Sequence, residues 1–232
     1  MSYVLHYAPD NASLIIRIAL EDLGVSYRAQ LVDRREKEQR SEGYRRLNPN
    51  GLIPVLETPS GPIFETAAIG LWLAETHGAL APAPGTANRA AFLKWLFFVS
   101  NTLHADLRLL FYPAQYIGSS ATDQLALRKG MAQVLPRRFA LLNDLAETAP
   151  DFLGAATPTI LDFYVAACAR WAQIYPVSGT AWFDWKNHPA LYEVAKRVET
   201  RASARSVADA EGLGAQPFTA AHTPNPPEGS AL

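Results

Sequence analysis

In the first third of the chain, β-prone runs alternate with apolar residues at helical spacing. Tyr3-Val4-Leu5-His6-Tyr7 is a β-prone run, Pro9-Asp10-Asn11 marks a turn, and residues 14–23 carry a helical repeat that Gly24 stops. Residues 25–32 predict a second strand, after a connection long enough for a parallel crossover. A short charged helix is expected over 38–47, ahead of the Asn48-Pro49-Asn50-Gly51 turn. Ile53-Pro54-Val55-Leu56-Glu57 and Pro62-Ile63-Phe64 flank Thr58-Pro59-Ser60-Gly61, a hairpin signal. Residues 66–77 return to the helical period, with Gly78 behind them. A βαβ unit followed by ββα predicts an α/β domain over 1–80.

The uncharged, proline-bearing stretch 78–88 reads as a linker. Beyond it the helical period dominates, with helices expected over 88–112, 121–148, 159–175 and 188–210 and interruptions at Pro113, Pro150, Pro158 and Pro176. An all-α second domain over 88–210 follows. The tail, 211–232, holds Pro217, Pro224, Pro226 and Pro227 and too little periodic apolar content to pack alone, so it is expected to be mobile.

With 232 residues and 49% apolar side chains, the chain can bury a core in each domain. A formal charge of −1 with interspersed signs offers no footprint for nucleic acid or an anionic membrane. Cys168 is the single cysteine, which excludes an intrachain disulfide, and the five histidines never fall at ligand spacings, so no metal is assigned. The most apolar helix contains Lys94, His104, Asp106 and Arg108 and reads as buried, not membrane-spanning. Residues 1–7 lack the pattern of a secretory signal, and a cytoplasmic location is expected.

The stretch 48–69 concentrates candidate chemistry. Pro54 opens a strand without a ladder donor, and a cis bond there would turn the Ile53 carbonyl and N–H outward, free to pair with an extended peptide. The general X-Pro preference is trans, so the residues alone favour an ordinary edge proline. Glu65-Thr66 opens a helix, where unpaired N–H groups attract a carboxylate and Glu65 is available to an ammonium; plain helix capping is the competing explanation. Thr159-x-x-Asp162 has the spacing of a capping box.

Asn48-Pro49-x-Gly51-x-Ile53-Pro54-Val55-Leu56, Glu65-Thr66-x-Ala68-Ile69 and Thr159-Ile160-Leu161-Asp162 with Arg170-Trp171, in this order, resemble the bacterial glutathione S-transferase family over residues 3 to 210. The resemblance implies a thioredoxin-like first domain and an all-helical second one. It also implies a cis Pro54, pairing of Ile53 with the cysteinyl backbone of glutathione, and a γ-glutamyl end held at Glu65 and Thr66. In beta-type members a cysteine stands where this chain has Ala12, so mixed-disulfide chemistry is not expected at that place.

The thiolate is the nucleophile of such chemistry, and donors at a helix start lower a thiol pKa. Ser13 is the first choice of donor, followed by Tyr7 and Asn11, with helix capping as the bland alternative for Asp10, Asn11 and Ser13. Asn101, His104, Arg108 and Tyr112 share one helical face and suggest a wet cleft between domains, with a salt-bridged or exposed face as the commoner explanation of such a stripe. His104 and Arg108 are expected to orient or polarise the electrophile, and Phe111, Tyr112 and Trp171 to wall its pocket, although Trp171 fits core packing equally well.

By resemblance the chain is a cytoplasmic, homodimeric detoxification transferase that joins glutathione, its co-substrate, to a small apolar electrophile without a metal. In such a dimer Asn101 or Asp106 would reach the neighbour's ligand. A glutathione-dependent isomerase and a non-catalytic glutathione- or partner-binding protein are the alternatives.

Overall fold

The computed structural model describes residues 3–231. Strand β1 (Tyr3–Tyr7), helix α1 (Ser13–Asp22) and strand β2 (Tyr27–Leu31) form the expected crossover, with β1 and β2 parallel from Tyr3↔Tyr27 to Tyr7↔Leu31. A 3-10 turn (Glu38–Arg40) and α2 (Glu42–Leu47) lead to β3 (Val55–Thr58) and β4 (Gly61–Phe64), an antiparallel hairpin. β3 also pairs antiparallel with β1, so the sheet runs β2-β1-β3-β4. Helix α3 (Thr66–His77) ends at Gly78, whose φ of 66° supplies the left-handed cap.

The helical part comprises α4 (Arg89–Phe98), a π-helical turn (Val99–Leu103), α5 (His104–Phe111), α6 (Ala114–Ile117), α7 (Ala121–Glu147), α8 (Ile160–Ile174), a 3-10 turn (Trp185–Asn187), α9 (Pro189–Glu199) and α10 (Ala202–Ala210). The organisation is thus an α/β unit followed by helices. One detail departs from the sequence pattern: the stretch 188–210 breaks at Thr200 and Arg201 into two helices. Pro136 sits inside α7 without ending it, within the helix expected over 121–148.

Helix α8 carries the centre of the molecule: from Ile160 to Ala172 every residue is buried. Its start is fixed by the capping box, in which Asp162 Oδ2 accepts the Thr159 N–H at 2.8 Å and Thr159 Oγ1 accepts the Leu161 N–H at 3.2 Å. Ile160 N–H also donates to Leu80 O at 2.8 Å, which ties the connection after α3 to this start. Gly70 of α3 permits the close approach, because a β-carbon there would lie 2.5 Å from Ile160 Cγ1. One apolar core therefore runs from Leu5, Ile15 and Leu73 through Phe163 to Phe139 and Leu191.

The segment after Gly212 packs against the helices. Leu213 and Phe218 are fully buried, and the N–H groups of Phe218 and Thr219 both donate to Glu199 Oε2 at 2.9 Å. Farther on, Asn225 N–H donates to Gly212 O at 2.9 Å. The segment forms no core of its own; it lends apolar side chains to an existing one, a possibility that a count of its own apolar residues does not capture. Among the described residues no helix is long and apolar enough to cross a membrane.

Candidate functional site

A cleft of about 620 Å³ opens where the loop after β1, the approach to β3 and the start of α3 face α4, α5 and α8. That volume is typical of small-molecule sites. Ile53 lines it and stands outside the sheet register, which begins at Val55. The Ile53-Pro54 peptide bond is cis. Across from it, Glu65 lies exposed at φ 72°, ψ 114°, a conformation that costs a non-glycine residue about 1–3 kcal/mol. Its carbonyl accepts the Ile69 N–H at 2.9 Å, and the buried Thr66 begins the helix.

The polar stripe of the long helix turns to the same space. Asn101, His104, Arg108 and Tyr112 all line the cleft, and so do Phe111 and Trp171. His104 Nδ1 is hydrogen-bonded to Tyr164 OH at 2.8 Å, and its ring lies 5.3 Å from that of Trp171. Desolvation, reinforced by the Arg108 charge, lowers its pKa to about 3. His104 is therefore neutral at neutral pH, and it can hold a hydrogen bond but not a positive charge.

Two of the three expected thiolate donors point elsewhere. Ser13 is fully buried; its hydroxyl donates to Ala8 O at 3.1 Å and accepts the Ala8 N–H at 3.3 Å, closing the loop on itself. Tyr7 is buried as well, its hydroxyl donates to Glu228, and the Arg17 guanidinium covers its ring at 4.6 Å. Burial and Glu228 push its ionisation well above the ordinary tyrosine value. Neither side chain lines the cleft, whereas Asn11 does. The Asn11 Oδ1 accepts the Ala12 N–H at 3.0 Å, which leaves the carboxamide nitrogen as its donor.

Sequence reasoning gave Asp10 no more than helix capping, and the structure gives it a larger part. Its φ of 50° turns the loop, and its buried carboxylate accepts from Arg170 Nε at 2.8 Å, Arg170 Nη2 at 3.1 Å, Trp171 Nε1 at 2.9 Å and Tyr175 OH at 2.9 Å. Its N–H donates to Glu211 Oε2 at 2.9 Å. The residues next to Asn11 are thereby fixed by α8 and by the end of α10. Trp171 accordingly holds both roles considered for it, packed at 4% exposure and lining the cleft. A lone arginine inside the apolar run of α8 was the available signal, since a buried guanidinium demands a carboxylate. Cys168 is fully buried in α8, and burial raises its thiol pKa, so it presents no thiolate to the cleft.

Residues 12–76 match the family model described as "Glutathione S-transferase, N-terminal domain". The chain is 27% identical over 215 residues, 90% of its length and 98% of the relative's, to the glutathione S-transferase GST-4.5 of Xanthomonas campestris pv. campestris. The chain carries a glutathione S-transferase N-terminal domain over residues 12–76 and is similar to a member of that family over most of its length. The mixed sheet is the thioredoxin-like part of that family's fold, and the helices after it complete the architecture. A solved sphingomonad glutathione S-transferase, complexed with glutathione, superposes on this chain with a TM-score of 0.73 at 26% identity, covering 91% of this chain and all (100%) of that one. The disulfide-bond oxidoreductase YfcG of Escherichia coli K12 is 28% identical over 220 residues, 91% of this chain and 95% of its own.

Proposed function

We propose that the cleft binds glutathione and stabilises its thiolate for attack on a second substrate. The observation that carries this is the convergence on one space of Ile53 outside its sheet, the strained Glu65 at the start of α3, and Asn11 on a loop pinned by Asp10. The cysteinyl backbone lies along Ile53, and the γ-glutamyl carboxylate faces the first N–H groups of α3 beside Thr66, where the helix dipole favours an anion. Glu65 takes the ammonium, and Asn101 closes that side. The sulfur then faces Asn11, whose carboxamide nitrogen donates to the thiolate.

The thiol proton leaves to solvent, because a histidine with a pKa near 3 does not keep it at neutral pH. The thiolate sulfur attacks the electrophilic carbon, a sulfur–carbon bond forms, and the leaving group departs with its electron pair. Phe111, Tyr112 and Trp171 wall the second substrate, while His104 and Arg108 orient it. Two copies of the chain form the working unit.

Calorimetry with glutathione, followed by titration of the thiolate ultraviolet band in the complex, tests the reading. Bound thiol is expected to ionise below its free value of about 8.5, and Asn11→Ala to raise it by roughly one unit. No heat at millimolar glutathione removes the proposal. An unmoved titration in Asn11→Ala removes the role of Asn11.

The likeness to YfcG favours one other reading, reduction of a disulfide by glutathione itself. There the thiolate attacks a disulfide sulfur, a mixed disulfide forms and the partner thiolate leaves; a second glutathione then releases the product as glutathione disulfide. No protein thiol is needed, which suits an alanine at position 12 and an inaccessible Cys168. Product analysis separates a thioether from glutathione disulfide.

A further inference from the structure

Tyr112 lies at the end of α5 with guanidinium groups beside it from two directions. Arg34 Cζ is 5.8 Å from the ring centroid, and Arg108 Cζ is also 5.8 Å away. Both distances are within cation–π range, so the ring holds two cations in the mouth of one cleft. Their hydrogen-bonding partners are neutral: Arg34 donates to the Tyr112 hydroxyl at 3.4 Å and to the Ala231 carbonyl, and Arg108 Nε donates to the Tyr116 hydroxyl at 3.1 Å. Among the described residues neither arginine forms an ion pair.

The acidic residues of the cleft wall do not answer these charges. Asp10 is consumed by Arg170, and Glu65 stands at the start of α3. Two half-buried guanidiniums gathered on one ring without a carboxylate form an anion site with its planar donors in place. Phe111 lies against the Tyr112 ring at 6.3 Å, and Phe97 adds an exposed aromatic face to the same wall.

We propose that the second substrate is an amphipathic anion whose carboxylate or sulfonate binds between Arg34 and Arg108 at Tyr112, with its apolar body against Phe111. This deepens the transferase reading, on which it rests, and narrows the small apolar electrophile expected from the sequence to one that carries a negative charge away from the reacting carbon.

The test compares binding of 3,5-dinitrobenzoate with that of its methyl ester, read by quenching of tryptophan fluorescence with and without saturating S-methylglutathione. The acid is expected to bind about tenfold more tightly than the ester. The preference should shrink with added salt, fall to near unity in Arg34→Gln and Arg108→Gln, and persist in Arg45→Gln, which alters a cleft-lining arginine that is not one of the two at the Tyr112 ring. Equal binding of acid and ester by the unaltered protein overturns the proposal, as does loss of the preference in Arg45→Gln with retention in Arg108→Gln. Failure of the glutathione reading is distinguishable: S-methylglutathione then gives no binding heat, while the acid-over-ester preference stands by itself.

Discussion

Burial raises the Glu211 carboxyl to about 7 from an ordinary 4.5, against the pull of Arg17 Nη1 at 3.2 Å. Between those two values the folded chain holds a proton that the unfolded chain releases. Its contribution to stability is complete below pH 4.5 and is lost as pH rises through 7. Asp162, raised to about 6 from 3.8 chiefly by desolvation, adds a decline of the same sign at lower pH. Urea midpoints measured from mildly acidic to neutral pH should therefore fall, and Glu211→Gln should flatten the neutral end of that fall; identical slopes in both proteins refute the assignment. At this scale the sequence was a partial guide. It placed Ile53, Glu65 and Asn11 on the cleft, but not the turning-in of Ser13 and Tyr7, because order along a chain does not say which way a side chain at a helix start or strand end faces.

Helix α3 meets α8 at Gly70, where the Ile160 side chain occupies the space a β-carbon would take. Gly70→Ala should destabilise the fold by about 1–3 kcal/mol through overpacking. Ile160→Ala, costly by itself, should cost less in the Gly70→Ala background, because the double variant restores room. Denaturant unfolding of the four proteins checks this, and strict additivity rejects the contact as the cause. Elements of this kind were the most legible part of the sequence. Gly24 and Gly78 marked two helix ends, and Thr159 with Asp162 marked a start, since caps are local chemistry. The break at Thr200 was hidden because neither glycine nor proline announces it.

Over the whole molecule, the segment after Gly212 acts as a strap. It supplies the Pro217 and His222 carbonyls to Arg170 at 2.8 and 3.1 Å, lays Glu228 on Tyr7 and brings Ala231 to Arg34. Removing residues 213–231 should lower the thermal midpoint by about 10 °C, whereas Glu228→Gln, which keeps an acceptor for the Tyr7 hydroxyl, should shift it by about 2 °C or less. A truncated protein that melts with the full chain contradicts the strap. None of this could be read from local pattern, because the partners of Asp10 lie 160 residues and more away. That separation bears on biogenesis. Synthesis runs from the N-terminus, so the loop carrying Asn11 leaves the ribosome long before Arg170 and Glu211 exist to hold it. The nascent α/β unit would carry a carboxylate with no counter-ion at the place where the cleft must form, and the cleft is completed only once synthesis has passed Glu211.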